Sequence, residues 1–154
     1  MKTNEDPIWE AKLAEVVQNH KDGDLITHDE INDILGLCEP DFNDYADAGE
    51  YKEALKKYEF VRLHAVESLK NDLLEGHKVY LNNVQGQGYR IVPPAEQTSV
   101  AYTKHVRNIG KEFTDGQRAM NNVRQTALNA EEKAAAANLH AKFAFLEQIF
   151  HNNK

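Results

Sequence analysis

The stretch His77-Lys78-Val79-Tyr80-Leu81-Asn82-Asn83-Val84, then Gln85-Gly86-Gln87-Gly88, then Tyr89-Arg90-Ile91-Val92-Pro93-Pro94 decides how this 154-residue chain folds. Two runs rich in β-branched and aromatic residues flank a turn that holds two glycines, which is the pattern of a β-hairpin. Pro93-Pro94 closes the second run, because proline has no N–H to give a ladder.

Upstream of the hairpin, a helical stripe occupies roughly Glu50 to Glu75. At 100° per residue, Leu55, Tyr58, Ala65, Val66, Leu69 and Leu73 fall on one side. Lys57, Phe60, His64, Ser68 and Asn71 fall on the other, and Gly76 ends the helix. Arg62 lies inside the apolar stripe, so the helix is expected to start or bend there. Residues 38–49, with Pro40 and many acids, read as a loop with room for one helical turn. Before it, Thr27 precedes Glu30 by three, the capping-box spacing, and predicts a helix from His28 to Leu35 with Gly36 as its stop. Asp22-Gly23-Asp24 and the apolar stub Leu25-Ile26 separate it from a first helix that starts at Pro7 and runs through Asn19.

Downstream, Val106, Ile109 and Phe113 predict a short amphipathic helix, and Thr114-Asp115-Gly116 a break with a new N-cap. A final helix is expected from Gln117 to His151. Leu139, Phe143, Leu146 and Phe150, spaced as on a coiled-coil seam, are its candidate self-association surface. The run Ala134-Ala135-Ala136-Ala137 between them favours helix and allows a second helix to approach. That second helix can belong to the same chain or to a second copy. The fold class is mainly α with a small β-hairpin, divided into residues 1–97 and a C-terminal helical extension, 98–154.

The formal net charge is −7, unevenly spread. Residues 1–50 hold 3 Lys/Arg against 14 Asp/Glu, a net of −11, while residues 51–100 stand at +1 and residues 101–154 at +3. That asymmetry permits DNA contact by one face and a different job for the other, and demands neither. No apolar run reaches the length of a membrane span, and no signal peptide is read at the N-terminus. A single cysteine, Cys38, forms no disulfide within the chain, and a cytoplasmic location is expected.

Helix, stub, helix, loop, helix, hairpin is the order of a winged helix-turn-helix, expected over residues 22–94. Gly23-Asp24-Leu25-Ile26-Thr27-His28-Asp29-Glu30-Ile31 looks like the stub and second helix of that fold. Leu63 to Leu73 with Val84-Gln85-Gly86-Gln87-Gly88-Tyr89-Arg90-Ile91 resembles the recognition helix and wing of response-regulator output domains. The resemblance covers about half the chain, and its most specific part is Gly-x-Gly-Tyr-Arg followed by an apolar residue. It implies DNA binding. His64, Ser68 and Asn71 would read or position bases, Asn being able to bond adenine bidentately. Lys57, Lys78, Gln85, Gln87 and Arg90 would hold the backbone, with Gly86 and Gly88 letting the turn approach a phosphate. Helix 1 stands where that family carries a set of strands, and the recognition face has few basic residues.

The expected function is a dimeric DNA-binding regulator of transcription, paired through the C-terminal helices, suited to a bacterial or phage accessory factor. The alternative is a winged-helix adaptor, or a phage-type inhibitor, that uses its acidic first third, residues 39–50 above all, against a basic protein partner. Lys104, Arg107, Lys111, Arg118 and Arg124 read as a solvated helix surface first and a phosphate-contacting face second. Neither catalysis nor a metal or other cofactor is expected. The seven histidines never stand at i, i+4 or beside a cysteine pair, and no nucleophile motif or phosphate-binding glycine loop is present.

Overall fold

The computed structural model describes residues 6–152, so residues 1–5 and 153–154 lie outside the described residues. Helix α1 spans Pro7–Asn19, strand β1 Leu25–Thr27, α2 His28–Leu35, α3 Ala48–His77, β2 Tyr80–Val84, β3 Gly88–Val92, α4 Pro94–Asn121 and α5 Ala130–Asn152. Single 3-10 turns lie at Phe42–Asp44 and Gln125–Ala127. The protein is mainly helical with one small three-stranded antiparallel sheet, and none of its described helices is long and apolar enough to cross a membrane. It divides into two compact units, Met1–Thr98 and Ser99–Lys154.

In the first unit the helix starts are written locally. Asp6 accepts from the Ile8 N–H ahead of Pro7. Thr27 and Glu30 form the expected reciprocal box: the Thr27 N–H donates to Glu30 Oε2 at 2.7 Å and the Glu30 N–H to Thr27 Oγ1 at 3.2 Å. Gly36 closes α2 in the left-handed conformation. Asp47 accepts from Gly49 and Glu50, which starts α3 at Ala48, two residues before the sequence-based expectation.

The box carries a pH signature. Hydrogen bonds from the Thr27 backbone and then its hydroxyl hold the Glu30 carboxyl below its ordinary value of 4.5, with burial opposing weakly and His20 assisting. A depressed carboxyl contributes stability above its unfolded pKa and loses it as pH falls through the folded one. The first turn of α2 is therefore expected to loosen below about pH 4.5. Amide exchange at Thr27 checks this: its protection, the rate relative to that of an unstructured peptide at the same pH, should fall on acidification in the wild type and be low and nearly flat in Glu30→Gln.

The core takes Leu13 and Val16 from α1, Ile26 from β1, Ile31 and Leu35 from α2, and Val66, Leu69 and Leu73 from α3. Leu81 and Ile91 from the hairpin complete it. The sheet order is β1-β3-β2. The stub Leu25-Ile26 is thus a strand, pairing Leu25 with Arg90, Ile26 with Tyr89 and Thr27 with Gly88. Two further bonds extend the pairing, from Gly23 N–H to Ile91 O and from Ile91 N–H to Asp24 O.

Arg62 neither starts nor interrupts α3, which is one helix through it. It sits in the apolar stripe because its guanidinium has partners on α2. Nε donates to Asn32 Oδ1 at 2.8 Å, and Nη2 lies 3.2 Å from His28 Nδ1. Long side chains bury their stems among apolar neighbours in this way while the charged end finds a polar site.

The second unit is an antiparallel helical hairpin, and it departs from expectation in two places. Thr114-Asp115-Gly116 does not break the chain but lies within α4. Glycine inside a helix costs about 1 kcal/mol relative to alanine, and here its lack of a side chain admits a partner: a Cβ on Gly116 would lie 2.7 Å from Phe143 Cζ. Thr114 satisfies its hydroxyl on the Gly110 carbonyl. The real break falls at residues 122–129. Asn129 and Glu132 restart the helix, each side chain accepting from the other's backbone N–H at 2.8 and 2.9 Å. The proposed seam also divides. Phe143 and Phe150 pack on Phe113 of α4, both with ring centroids at 5.3 Å, whereas Leu139 and Leu146 stay 59% and 56% exposed.

Candidate nucleic-acid interface

The outward face of α3 carries the three residues expected to read bases, together with Lys57, expected to hold the backbone. Lys57, His64, Ser68 and Asn71 are all exposed and share the side opposite Val66, Leu69 and Leu73. They are not alone there. Phe60 is 63% exposed and meets the His64 ring edge-on at 4.4 Å, and Leu63 is 66% exposed. Glu67 pairs with Lys70 at 3.1 Å. The face is thus polar and aromatic with little net positive charge.

Lys78 adopts φ +61°, the one non-glycine with positive φ among the described residues. Its backbone N–H bonds to the Leu73 carbonyl and its Nζ donates to the Glu75 carbonyl at 2.6 Å. A cation on the last carbonyls of a helix is favoured by the dipole, so Lys78 caps α3.

The hairpin turn is closed by a bond from Gln87 N–H to Val84 O at 3.0 Å, with Gly86 at φ +73°. Gln85, Gly86 and Gln87 are exposed. Gly88 is different. It is buried at φ +151°, and a Cβ there would collide with the Ile26 carbonyl oxygen and come within 2.8 Å of Thr27 Cα. Its hydrogen atom is what lets β1 lie against β3, so the backbone Gly88 approaches is its own chain's.

Arg90 is clasped by Glu96 at the start of α4, through Nη1 at 2.9 Å and Nη2 at 3.4 Å. The hydrogen bond and then the charge of Glu96 push the guanidinium pKa up, which keeps Arg90 ionised and paired. Its side chain is 37% exposed.

Beside α3 lies a cleft of about 480 Å³ between α2 and α3, walled by His28, Asn32, Glu59, Arg62 and Tyr89 with Leu63 at its rim. Tyr89 meets His28 edge-on at 5.6 Å. The Arg62–Asn32–His28 group was not among the residues picked from sequence. Its one signal was a guanidinium inside an apolar stripe. Of the basic residues on α4, Arg118 is paired with Asp115 at 2.6 Å. No protein-family model, no curated protein and no solved structure matches the chain.

Proposed function

We propose that residues 22–94 act as a winged helix-turn-helix that binds DNA, with α3 in the major groove and the turn Gln85–Gln87 as a wing along the adjacent backbone. The observation that carries this reading is the pairing of β1 with β3. It ties α2, α3 and the hairpin into one body whose exposed parts include the polar row His64, Ser68, Asn71 and the glutamine turn. Neutral donors on a helix can bond base edges and phosphates alike.

Binding is expected to be weak and to depend only mildly on salt, because Lys57 is the one exposed Lys or Arg on this face without an ion pair or capping role among the described contacts. Each neutralised phosphate contributes about −0.9 to the slope of log K against log salt, so a slope of about −1 is expected rather than one near −10. The test is an anisotropy titration of a labelled random-sequence duplex at two salt concentrations. Ser68→Glu with Asn71→Glu should weaken binding by about 100-fold or more. Absence of binding at low salt, or indifference to the double change, removes the reading.

A second reading, an adaptor for a basic protein, is favoured by the charge of residues 1–100, −11 and +1 in their two halves, and by exposed Phe60 and Leu63. Exposed apolar residues on a chain with an excess of acids suit a cationic partner surface.

A further inference from the structure

We infer that α3 selects A·T-rich duplex, with Phe60 and Val61 against the C5-methyl groups of thymines and Asn71 on an adenine of the same site. The inference rests on the reading of α3 as a helix that enters a major groove, and it adds what the helix selects there.

The starting observation is an aromatic ring and a branched aliphatic side chain turned to solvent within a polar row. Phe60 is 63% exposed and Val61 44%. Neither belongs to the core or to the apolar residues packed against it. Counted at 100° per residue, Phe60, Val61, His64, Ser68 and Asn71 all lie about 120° or more round the helix from the buried Val66. Phe60 is also braced: the His64 ring meets it edge-on, with centroids 4.4 Å apart. A braced ring has less rotamer freedom to lose when something docks on it.

The groove decides what such side chains can meet. Its floor is lined by hydrogen-bond donors and acceptors, and the one apolar group it offers is the thymine methyl. The polar part of the row fits the same base pair, because Asn can bond adenine at N6 and N7 together. From Phe60 to Asn71 the helix rises about 16 Å, roughly five base pairs of groove, so both kinds of contact fall within one site. Phosphate attraction is small on this face, where Glu67 and Lys70 cancel each other. The base edges therefore carry a large share of the affinity, and a methyl preference is correspondingly visible.

Anisotropy titrations at low salt test this with two labelled duplexes of one mixed sequence made of A·T pairs alone. They are identical except that the second carries uracil in place of thymine. Uracil keeps the hydrogen-bonding atoms and lacks the methyl, while the adenine read by Asn71 stays in place. The thymine duplex should bind on the order of tenfold tighter, the effect of about two methyl groups leaving water. Phe60→Ala with Val61→Ala removes two exposed side chains and favours helix, so the fold is kept. That variant should bring the thymine-to-uracil ratio close to one. Any effect of uracil on duplex shape persists in the variant, so a ratio that survives the double change overturns the inference. Equal, measurable binding of both duplexes by the wild type overturns it too and leaves groove binding standing. Binding to neither duplex removes the groove reading along with it and assigns the apolar pair to a protein surface.

Discussion

Gly88→Ala is expected to destabilise the N-terminal unit by at least about 3 kcal/mol, enough to remove a large part of the stability of a unit this size. Two costs add at this position. The backbone sits at φ +151°, a conformation that any residue with a Cβ resists. The added carbon would also collide with the Ile26 carbonyl oxygen, which is sheet backbone and cannot swing away as a flexible side chain would. Relief requires β1 to leave β3, and that exposes Ile26, which is fully buried. Urea denaturation checks the prediction through a lowered midpoint. Gly86→Ala is the control: φ there is also positive, +73°, but nothing lies within 4 Å of the added carbon. Its cost should stay near 1 kcal/mol, the order expected for αL strain alone.

Leu69→Ala is expected to cost 2–5 kcal/mol, the range for truncating a fully buried leucine. Leu69 is 0% exposed and sits at the middle of the buried face of α3, between Val66 and Leu73. The single tryptophan makes the loss easy to follow. Trp9 packs against the same core and its indole N–H donates to Asp72 at 2.7 Å, one turn beyond Leu69 on α3. Trp9 fluorescence therefore reports on this unit alone. Its thermal transition in Leu69→Ala should fall by ten degrees or more, since ~1 kcal/mol shifts a domain of this size by about 4–8 °C. A fall of only a degree or two would mean that the core collapses around the missing atoms.

What could be read from the sequence is what neighbouring residues decide among themselves. The Thr27–Glu30 box, the Gly36 stop and the α3 stripe each depend on residues within one or two turns, and the hairpin depends on its own turn. β1 was legible only as a stub, because three residues are too few to show alternation, and its partner lies more than sixty residues away. In the C-terminal half, Thr114-Asp115-Gly116 carries the local chemistry of a break, but Phe143 uses the missing side chain and the helix continues. The true restart, Asn129 with Glu132, has the same three-residue spacing as Thr27 with Glu30, but the alanine run that follows favours helix whatever the starting point and hides where α5 begins. Among the candidate site residues, those on α3 lie on its exposed face, as periodicity predicts. The fates of Gly88, Lys78 and Arg90 were not legible, because each is fixed by a partner that only the fold supplies: the β1 backbone, the end of α3 and Glu96.

The contact between Arg62 and His28 also fixes something smaller. A guanidinium has only donors, so the His28 nitrogen it approaches at 3.2 Å must present its lone pair. That contact selects the tautomer whose Nδ1 accepts and whose Nε2 carries the hydrogen. The cleft between α2 and α3 is therefore chemically lopsided: the ring's Nδ1 is committed to Arg62, and its remaining polar atom is an N–H. Whatever enters beside His28 must bring a lone pair of its own.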